Sequence, residues 1–249
     1  MGIKSAGLAL LCFAAACSGD ERAATPLCAD FVLGETFDLV DSAEGTQVQL
    51  DAALGRDRIW LAYSMVSAGG KDLDVFLSAV SCAGKPLGPP IKVNTVAGRN
   101  NVDPVVRTSA ETIFVAWSSD DHSGGKDNLD IVYRTFDIDG SPRMAAQRDL
   151  ETKHAGQAVT GNHWLPNATV AGDTLAIVGV RGIPEAPSFQ AFVQRIDTDG
   201  ELVGEARALK VEADQSHAYP DIGRDAEGRL YAAWERSAAP DYKANLLAQ

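Results

Sequence analysis

IFVAWSSDDHSGGKDNLDIVYRTFDIDG, residues 113–140, is the stretch on which the reading of this chain turns. Ile113–Trp117 is an apolar run too short for a helix, and it reads as a strand. A long polar loop, 118–130, follows. Ile131–Phe136 alternates apolar and polar residues, the signature of a second strand. Asp139-Gly140 then closes the segment, and this pair predicts a type I′ hairpin turn, in which both central residues take positive φ.

The same parts recur along the chain at a period of roughly 55–60 residues, in the range of repeat architectures. Residues 59–80 read IWLAYSMVSAGGKDLDVFLSAV, residues 193–200 VQRIDTDG, and residues 230–234 LYAAW. The first unit is predicted to hold strands at 48–53, 59–64, 75–81 and 91–94. The second holds an inner strand entered at Asp103-Pro104-Val105-Val106, then strands at 113–117, 131–136 and 146–150. The third has strands at 166–170, 175–180, 189–196 and 206–211, with Asp199-Gly200 as its turn. The fourth has 220–223, 230–234 and 244–248. Four strands in sequence joined by hairpins make one propeller blade, and no run of 12 residues has helical periodicity.

The expected fold is therefore all-β: a β-propeller of about four four-stranded blades over residues 31–249. Trp60, Trp117 and Trp234 are aligned as one repeat position, with Val178 in the third unit, and are assigned to packing between blades. Pro104, Pro166 and Pro220 are assigned to strand entry, where a missing N–H costs little. The last unit lacks a fourth strand. Either the segment FVLGETFDLV, 31–40, closes the ring by pairing there, or the chain is a fragment of a longer propeller, and the latter is the expectation.

An apolar strand ending in Trp, then VQRIDTDG, then Gly-Glu and another strand resembles the repeats of secreted bacterial β-propeller lipoproteins, loosely similar to sialidase-type (BNR) repeats. The resemblance covers 31–249. It implies a fold and an exported compartment, not a reaction. The sialidase motif Arg-Ile-Pro is not present: Arg181-Gly182-Ile183-Pro184 carries an inserted glycine.

The N-terminus agrees with export. Residues 1–17, MGIKSAGLALLCFAAAC, carry Lys4 and then an apolar run of signal-peptide length, too short to span a bilayer. Ala14-Ala15-Ala16-Cys17 resembles a lipobox, so Cys17 is the expected lipidation site, and residues 18–30 form a polar tether. An ordinary cleaved signal is the alternative. The resemblance to lipoprotein sorting, with Ser18 after the cysteine, points to the outer membrane of the cell envelope. In that oxidising setting Cys28 and Cys82 are the expected disulfide partners, with free thiols the alternative.

The formal net charge of −12 argues against nucleic acid as a partner. Carbohydrate or protein is the expected partner class, and the membrane is met only through the lipid anchor. No cofactor or metal is expected. Asp137-Ile-Asp-Gly140 and Asp197-Thr-Asp-Gly200 lack the downstream ligands of a calcium loop. The acidic loop 120–130 is the one place where calcium has any case.

The candidate ligand site is a channel mouth formed by Asn101, Asp103, His163, Trp164, His217 and Tyr219, polar and aromatic groups just before the repeated prolines. Aromatic faces there stack a ligand and polar groups orient it. No nucleophile or nucleotide-binding motif is present. The leading functional expectation is thus a lipid-anchored binding or interaction module without catalysis. The alternatives are a sialidase-like glycan hydrolase with catalytic residues partly outside this chain, and a structural repeat scaffold.

Overall fold

The run Ile113–Trp117 is buried from end to end, because its two faces serve two different cores. In the computed structural model, which describes residues 47–66, 70–120, 129–150, 152–154, 157–159, 163–182, 189–209, 215–238 and 245–248, this run is the second strand of the second of four antiparallel sheets. Blade 1 is β1 (Gln47–Leu54), β2 (Arg58–Val66), β3 (Leu73–Ser81) and β4 (Ile91–Lys92). Blade 2 is β5 (Asn100–Thr108), β6 (Thr112–Asp120), β7 (Leu129–Asp137) and β8 (Arg148–Asp149). A two-stranded hairpin, β9 (Thr152–His154) and β10 (Gln157–Val159), precedes blade 3: β11 (His163–Ala171), β12 (Thr174–Gly182), β13 (Phe189–Ile196) and β14 (Leu202–Ala208). Blade 4 has three strands, β15 (Gln215–Arg224), β16 (Leu230–Ala238) and β17 (Asn245–Ala248). Each sheet runs in sequence order, and β1, β5, β11 and β15 are the inner strands that pack on one another in turn. The fold is an all-β propeller.

Strand periodicity explains the stacking. Ile113, Val115 and Trp117 join Trp60, Leu77 and Val93 of blade 1 in one core. The intervening Phe114 and Ala116 point the other way, joining Leu175, Ile177 and Phe192 of blade 3. Strand β12 repeats this: Leu175 and Ile177 face blade 2, while Ala176, Val178 and Val180 face Ile222, Ala232 and Trp234 of blade 4. Side chains alternate faces along a strand, so a strand sandwiched between two blades must be apolar throughout. Burying a large apolar side chain contributes about 1.5–3 kcal/mol.

The tryptophans keep their packing role but not their common position. Trp117, Gly179 and Trp234 stand where blade 1 has Tyr63; Trp60 pairs across its sheet with Ala53, three places earlier, and its counterparts are Phe114, Ala176 and Tyr231. Trp60, Phe114 and Ala176 are all buried by the blade that comes next. Tyr231 is 48% exposed, since among the described residues no blade comes after the fourth. Leu50 and Leu54 on the outward side of β1 are likewise exposed.

The third turns of blades 2 and 3 are not type I′. In blade 2, Gly140 N–H donates to Asp137 C=O and Asp137 N–H to Ser141 C=O, and only Gly140 has positive φ (94°). The same pattern occurs at 197–201 around Gly200. This is a type I turn closed by a left-handed glycine that forms a bulge. The residues just after the turn decide the outer strand. Pro86 and Pro142 lack the donor for a ladder, leaving single bridges and the two-residue strands β4 and β8. Leu202 has that N–H, and β14 starts there, four residues before the expected 206.

The prolines of the inner strands also need correction. Pro104, Pro166 and Pro220 lie inside β5, β11 and β15, not at their entry. Each sits at a β-bulge, where an N–H is not required for pairing. Residues 31–40, Cys17 and Cys28 lie outside the described residues. Cys82, in the β3–β4 hairpin, is disulfide-bonded.

Candidate functional site

The bulges repeat a second feature. The residue before each proline, or before Leu50 in blade 1, has positive φ: Gln49 (54°), Asp103 (51°), Leu165 (53°) and Tyr219 (46°). A left-handed conformation costs a non-glycine residue roughly 1–2 kcal/mol. Leucine and tyrosine have no short polar side chain to offset it locally, so tertiary packing imposes it. Four strained positions at one height, one per inner strand, mark the level at which the propeller departs from regular pairing. Such departures cluster at functional sites.

At that level Gln49 and Asp103 meet across the boundary of blades 1 and 2. The Gln49 amide donates to the Asp103 carboxylate, and Asp103 N–H donates back to Gln49 Oε1 at 3.0 Å. Asp103 is half-buried. Desolvation pushes its carboxyl pKa up, against the hydrogen bond from Gln49, which pulls it down; the net direction is up. Tyr219, by contrast, is 65% exposed.

Two residues deeper, one polar chain crosses all four blades. Asp51 Oδ2 of β1 accepts from Val106 N–H at 2.8 Å and from Arg107 Nη1 at 2.6 Å. Arg107 also donates from Nε to Ala168 C=O (2.6 Å), from Nη1 to Val106 C=O (2.7 Å) and from Nη2 to Asn167 Oδ1 (2.9 Å). Asn167 Nδ2 in turn donates to Asp221 Oδ1 of β15 at 2.8 Å. The inner strands thus hold three carboxylates, Asp51, Asp103 and Asp221, with one guanidinium tied among them.

Three of the sequence-derived candidates lie in the seams between blades. Asn101 is buried; its Oδ1 accepts from Trp117 Nε1 and Ser119 Oγ, both at 2.9 Å, and its Nδ2 donates to Leu73 C=O at 2.9 Å across the seam with blade 1. His217 Nδ1 accepts from Ala191 N–H at 3.2 Å, spanning blades 4 and 3. His163 stands edge-on to Phe192, with Nδ1 3.5 Å from the Asp130 carboxylate of blade 2. The backbone of Trp164 pairs with Val180. Asp103 and Tyr219 occupy the bulges themselves. Gln49, Asp51, Arg107, Asn167 and Asp221 were not singled out from the sequence. The signal was available: Asp51, Asn167 and Asp221 each stand two places after the strained residue, at one repeat position.

Each Asp-x-Asp-Gly turn spends one carboxylate on its own backbone, and Asp137 pairs with Arg143. Asp139 accepts from Ser141 N–H at 2.8 Å, and Asp197 from Asp199 N–H and Glu201 N–H at 3.0 and 2.8 Å. These are turn-closing bonds.

No family model and no curated protein sequence matches the chain. Solved structures do match. An endo-arabinase from Bacteroides thetaiotaomicron is 14% identical with a TM-score of 0.53, over 87% of this chain and 80% of that one. A GH43 enzyme from Xanthomonas citri, in complex with xylotriose, is 14% identical with a TM-score of 0.51, over 89% and 77%. A subtype N10 neuraminidase-like protein of A/little yellow-shouldered bat is 6% identical with a TM-score of 0.50, over 82% and 59%. At these identities the likeness establishes a propeller fold of the kind that glycoside hydrolases use. The expectation of a module without catalysis is corrected here: the endo-arabinase and the GH43 enzyme are carbohydrate enzymes by name, and they stand on the side of the glycan-hydrolase alternative.

Proposed function

We propose that this chain is a glycan hydrolase domain that uses carboxylates of its inner propeller strands as acid and base. The observation that carries the reading is the presence of two unlike carboxylates on adjacent inner strands: Asp103, half-buried beside Gln49 with its pKa pushed up, and Asp51, two residues beyond Gln49 and held in an ion pair with Arg107. Glycoside hydrolysis needs one carboxyl group that keeps its proton and one that stays charged. Asp103 delivers a proton to the glycosidic oxygen as the C–O bond breaks. Asp51 supplies the opposing negative charge, either accepting a proton from the attacking water or stabilising the positive charge on the sugar ring. The ligand is a carbohydrate, and Tyr219 offers an exposed ring on which a sugar face stacks.

The test is release of reducing ends from arabinan and xylan by the full chain. Asp103→Asn and Asp51→Asn are each expected to lower turnover at least about 100-fold, with the melting transition of the folded chain retained. Unchanged turnover in Asp103→Asn, or no release from any glycan, overturns the reading.

The chain is further proposed to be exported and lipid-anchored through Cys17, as an outer-membrane lipoprotein. Metabolic labelling with palmitate should depend on that thiol. Label that persists in Cys17→Ala sinks the anchor.

A further inference from the structure

We infer that Gln49 is the positioning residue for the proposed acid, holding the Asp103 carboxyl and deciding which of its oxygens carries the proton; this deepens the hydrolase reading above and rests on it. The bond from Asp103 N–H, at 3.0 Å, can be accepted only by Oε1 of Gln49, which turns Nε2 toward the carboxylate. Nε2 donates to Asp103 Oδ1. The carbonyl oxygen of a carboxylic acid is its better acceptor, so the protonated form carries the proton on Oδ2. When that proton passes to the glycosidic oxygen and the C–O bond breaks, the charge left on Asp103 keeps the bond from Gln49.

The next seam shows what this arrangement displaces. Asp103 and Leu165 hold equivalent bulge positions on their inner strands. Ser64 and Ser118 are equivalent on the second strands, paired with Val48 and Val102. Between blades 2 and 3, Ser118 Oγ accepts from Leu165 N–H at 3.2 Å. Between blades 1 and 2 the corresponding donor, Asp103 N–H, goes to Gln49 instead. Ser64 Oγ is left buried with no hydrogen-bond partner among the described residues. An unsatisfied buried hydroxyl destabilises the fold. A seam shaped by stability alone would keep the serine bond; here it is given up for a grip on one carboxylate.

The charged and titratable side chains on β5 and on the strands packed against it are Arg107, Asp51 of β1, Arg58 and Tyr63 of β2, Asp74 of β3, Asp120 of β6 and His163 of β11. None of these shifts the Asp103 carboxyl: burial raises its pKa and the bond from Gln49 lowers it. Removing the Gln49 donor therefore leaves burial unopposed.

The experiment titrates the Asp103 carboxyl carbon by NMR in the full chain, as wild type, Gln49→Met and Gln49→Glu, with Asp103→Asn to assign the signal. The pH profile of kcat/KM on arabinan and xylan is measured beside it. Hydrolysis needs Asp103 protonated, so its pKa sets the alkaline limb. Midpoint and limb should both move up, by about one pH unit in Gln49→Met and further in Gln49→Glu, where a second carboxylate faces Asp103. A Gln49 that only supports the fold would lower the melting temperature and move neither. Gln49→Glu keeps an acceptor for Asp103 N–H, and decides the matter alone should Gln49→Met fail to fold. A midpoint that moves while the limb stays, or while wild type releases nothing from either glycan, ends the acid assignment and leaves the hold of Gln49 on Asp103 standing. An unmoved midpoint and limb with an active wild type overturn this inference and leave the hydrolase reading standing. An unmoved midpoint with no turnover overturns both.

Discussion

Arg107 on the inner strand of blade 2 donates from Nη1 to the carboxylate of Asp51 on blade 1 at 2.6 Å, while its Nη2 reaches Asn167 of blade 3 at 2.9 Å. One side chain therefore sets the spacing of three inner strands. Both partners of the ion pair are roughly one-quarter exposed, so the pair is neither a screened surface bridge nor a fully desolvated one.

Removing that guanidinium should cost more than a surface salt bridge. Arg107→Met leaves Asp51, Asn167 Oδ1 and Ala168 C=O short of a donor, and is expected to lower unfolding free energy by about 2–3 kcal/mol. Arg107→Lys restores the charge but not the fork, and should recover only part of it. Urea midpoints at constant slope decide the matter; equal midpoints for wild type and Arg107→Met would mean that the blades are spaced without it.

Asn101 is expected to behave as a seam residue. Asn101→Ala strands the buried donors Trp117 Nε1 and Ser119 Oγ and cuts the link to Leu73. A loss of about 2–4 kcal/mol is expected from two unsatisfied buried groups. Tyr219→Ala, at a mostly exposed position, should change stability by less than about 0.5 kcal/mol. Thermal melts of the two variants side by side separate a buried seam residue from an exposed one.

The glycines of blade 3 offer a matched pair. Gly200 (φ 80°) and Gly204 (φ 72°) are both left-handed, but a Cβ on Gly200 would run into Met144 of blade 2, whereas one on Gly204 meets nothing within 4 Å. Gly204→Ala should cost only the backbone strain, about 1 kcal/mol. Gly200→Ala adds overpacking at the blade interface, for about 2–4 kcal/mol in all. Denaturant unfolding of both variants gives the difference; equal losses would show that Met144 moves aside freely.

Asp103 should reduce stability at neutral pH. Its folded pKa lies above the ordinary carboxylate value, so between the unfolded and folded pKa values the native state binds more protons than the unfolded one. Stability then falls as pH rises through that window, and the penalty is complete above the folded pKa. Asp103→Asn is expected to raise the melting temperature at pH 7 and to lose that advantage as pH drops below about 4. A variant less stable than wild type at pH 7 would contradict the assignment of a desolvated carboxylate.

Much of the architecture was legible in the residues. The apolar runs 59–64, 113–117, 175–180 and 230–234 lie inside β2, β6, β12 and β16, because a strand between two blades leaves an unbroken hydrophobic signature. The site was less so. Asn101, His163 and His217 stood out as polar residues at repeat positions, yet their partners, Leu73, Asp130 and Ala191, come from the neighbouring blade. A repeat position that recurs for bonding between units looks the same in sequence as one that recurs for a ligand. Trp60 misled for a related reason: it lies three places from the Trp117 position, and an apolar run five residues long aligns with another in more than one register.

By itself the sequence determined the all-β class, the four units and the place of nearly every strand, because those arise from local periodicity and turn residues. The bulges at Gln49, Asp103, Leu165 and Tyr219 were decided by tertiary structure. One extra residue in an inner strand changes which face every later side chain takes. That shift is set by packing between blades and not by any local preference of leucine or tyrosine for positive φ. It brings Asp51 against Arg107 from 56 positions away and Asp103 against Gln49 from 54.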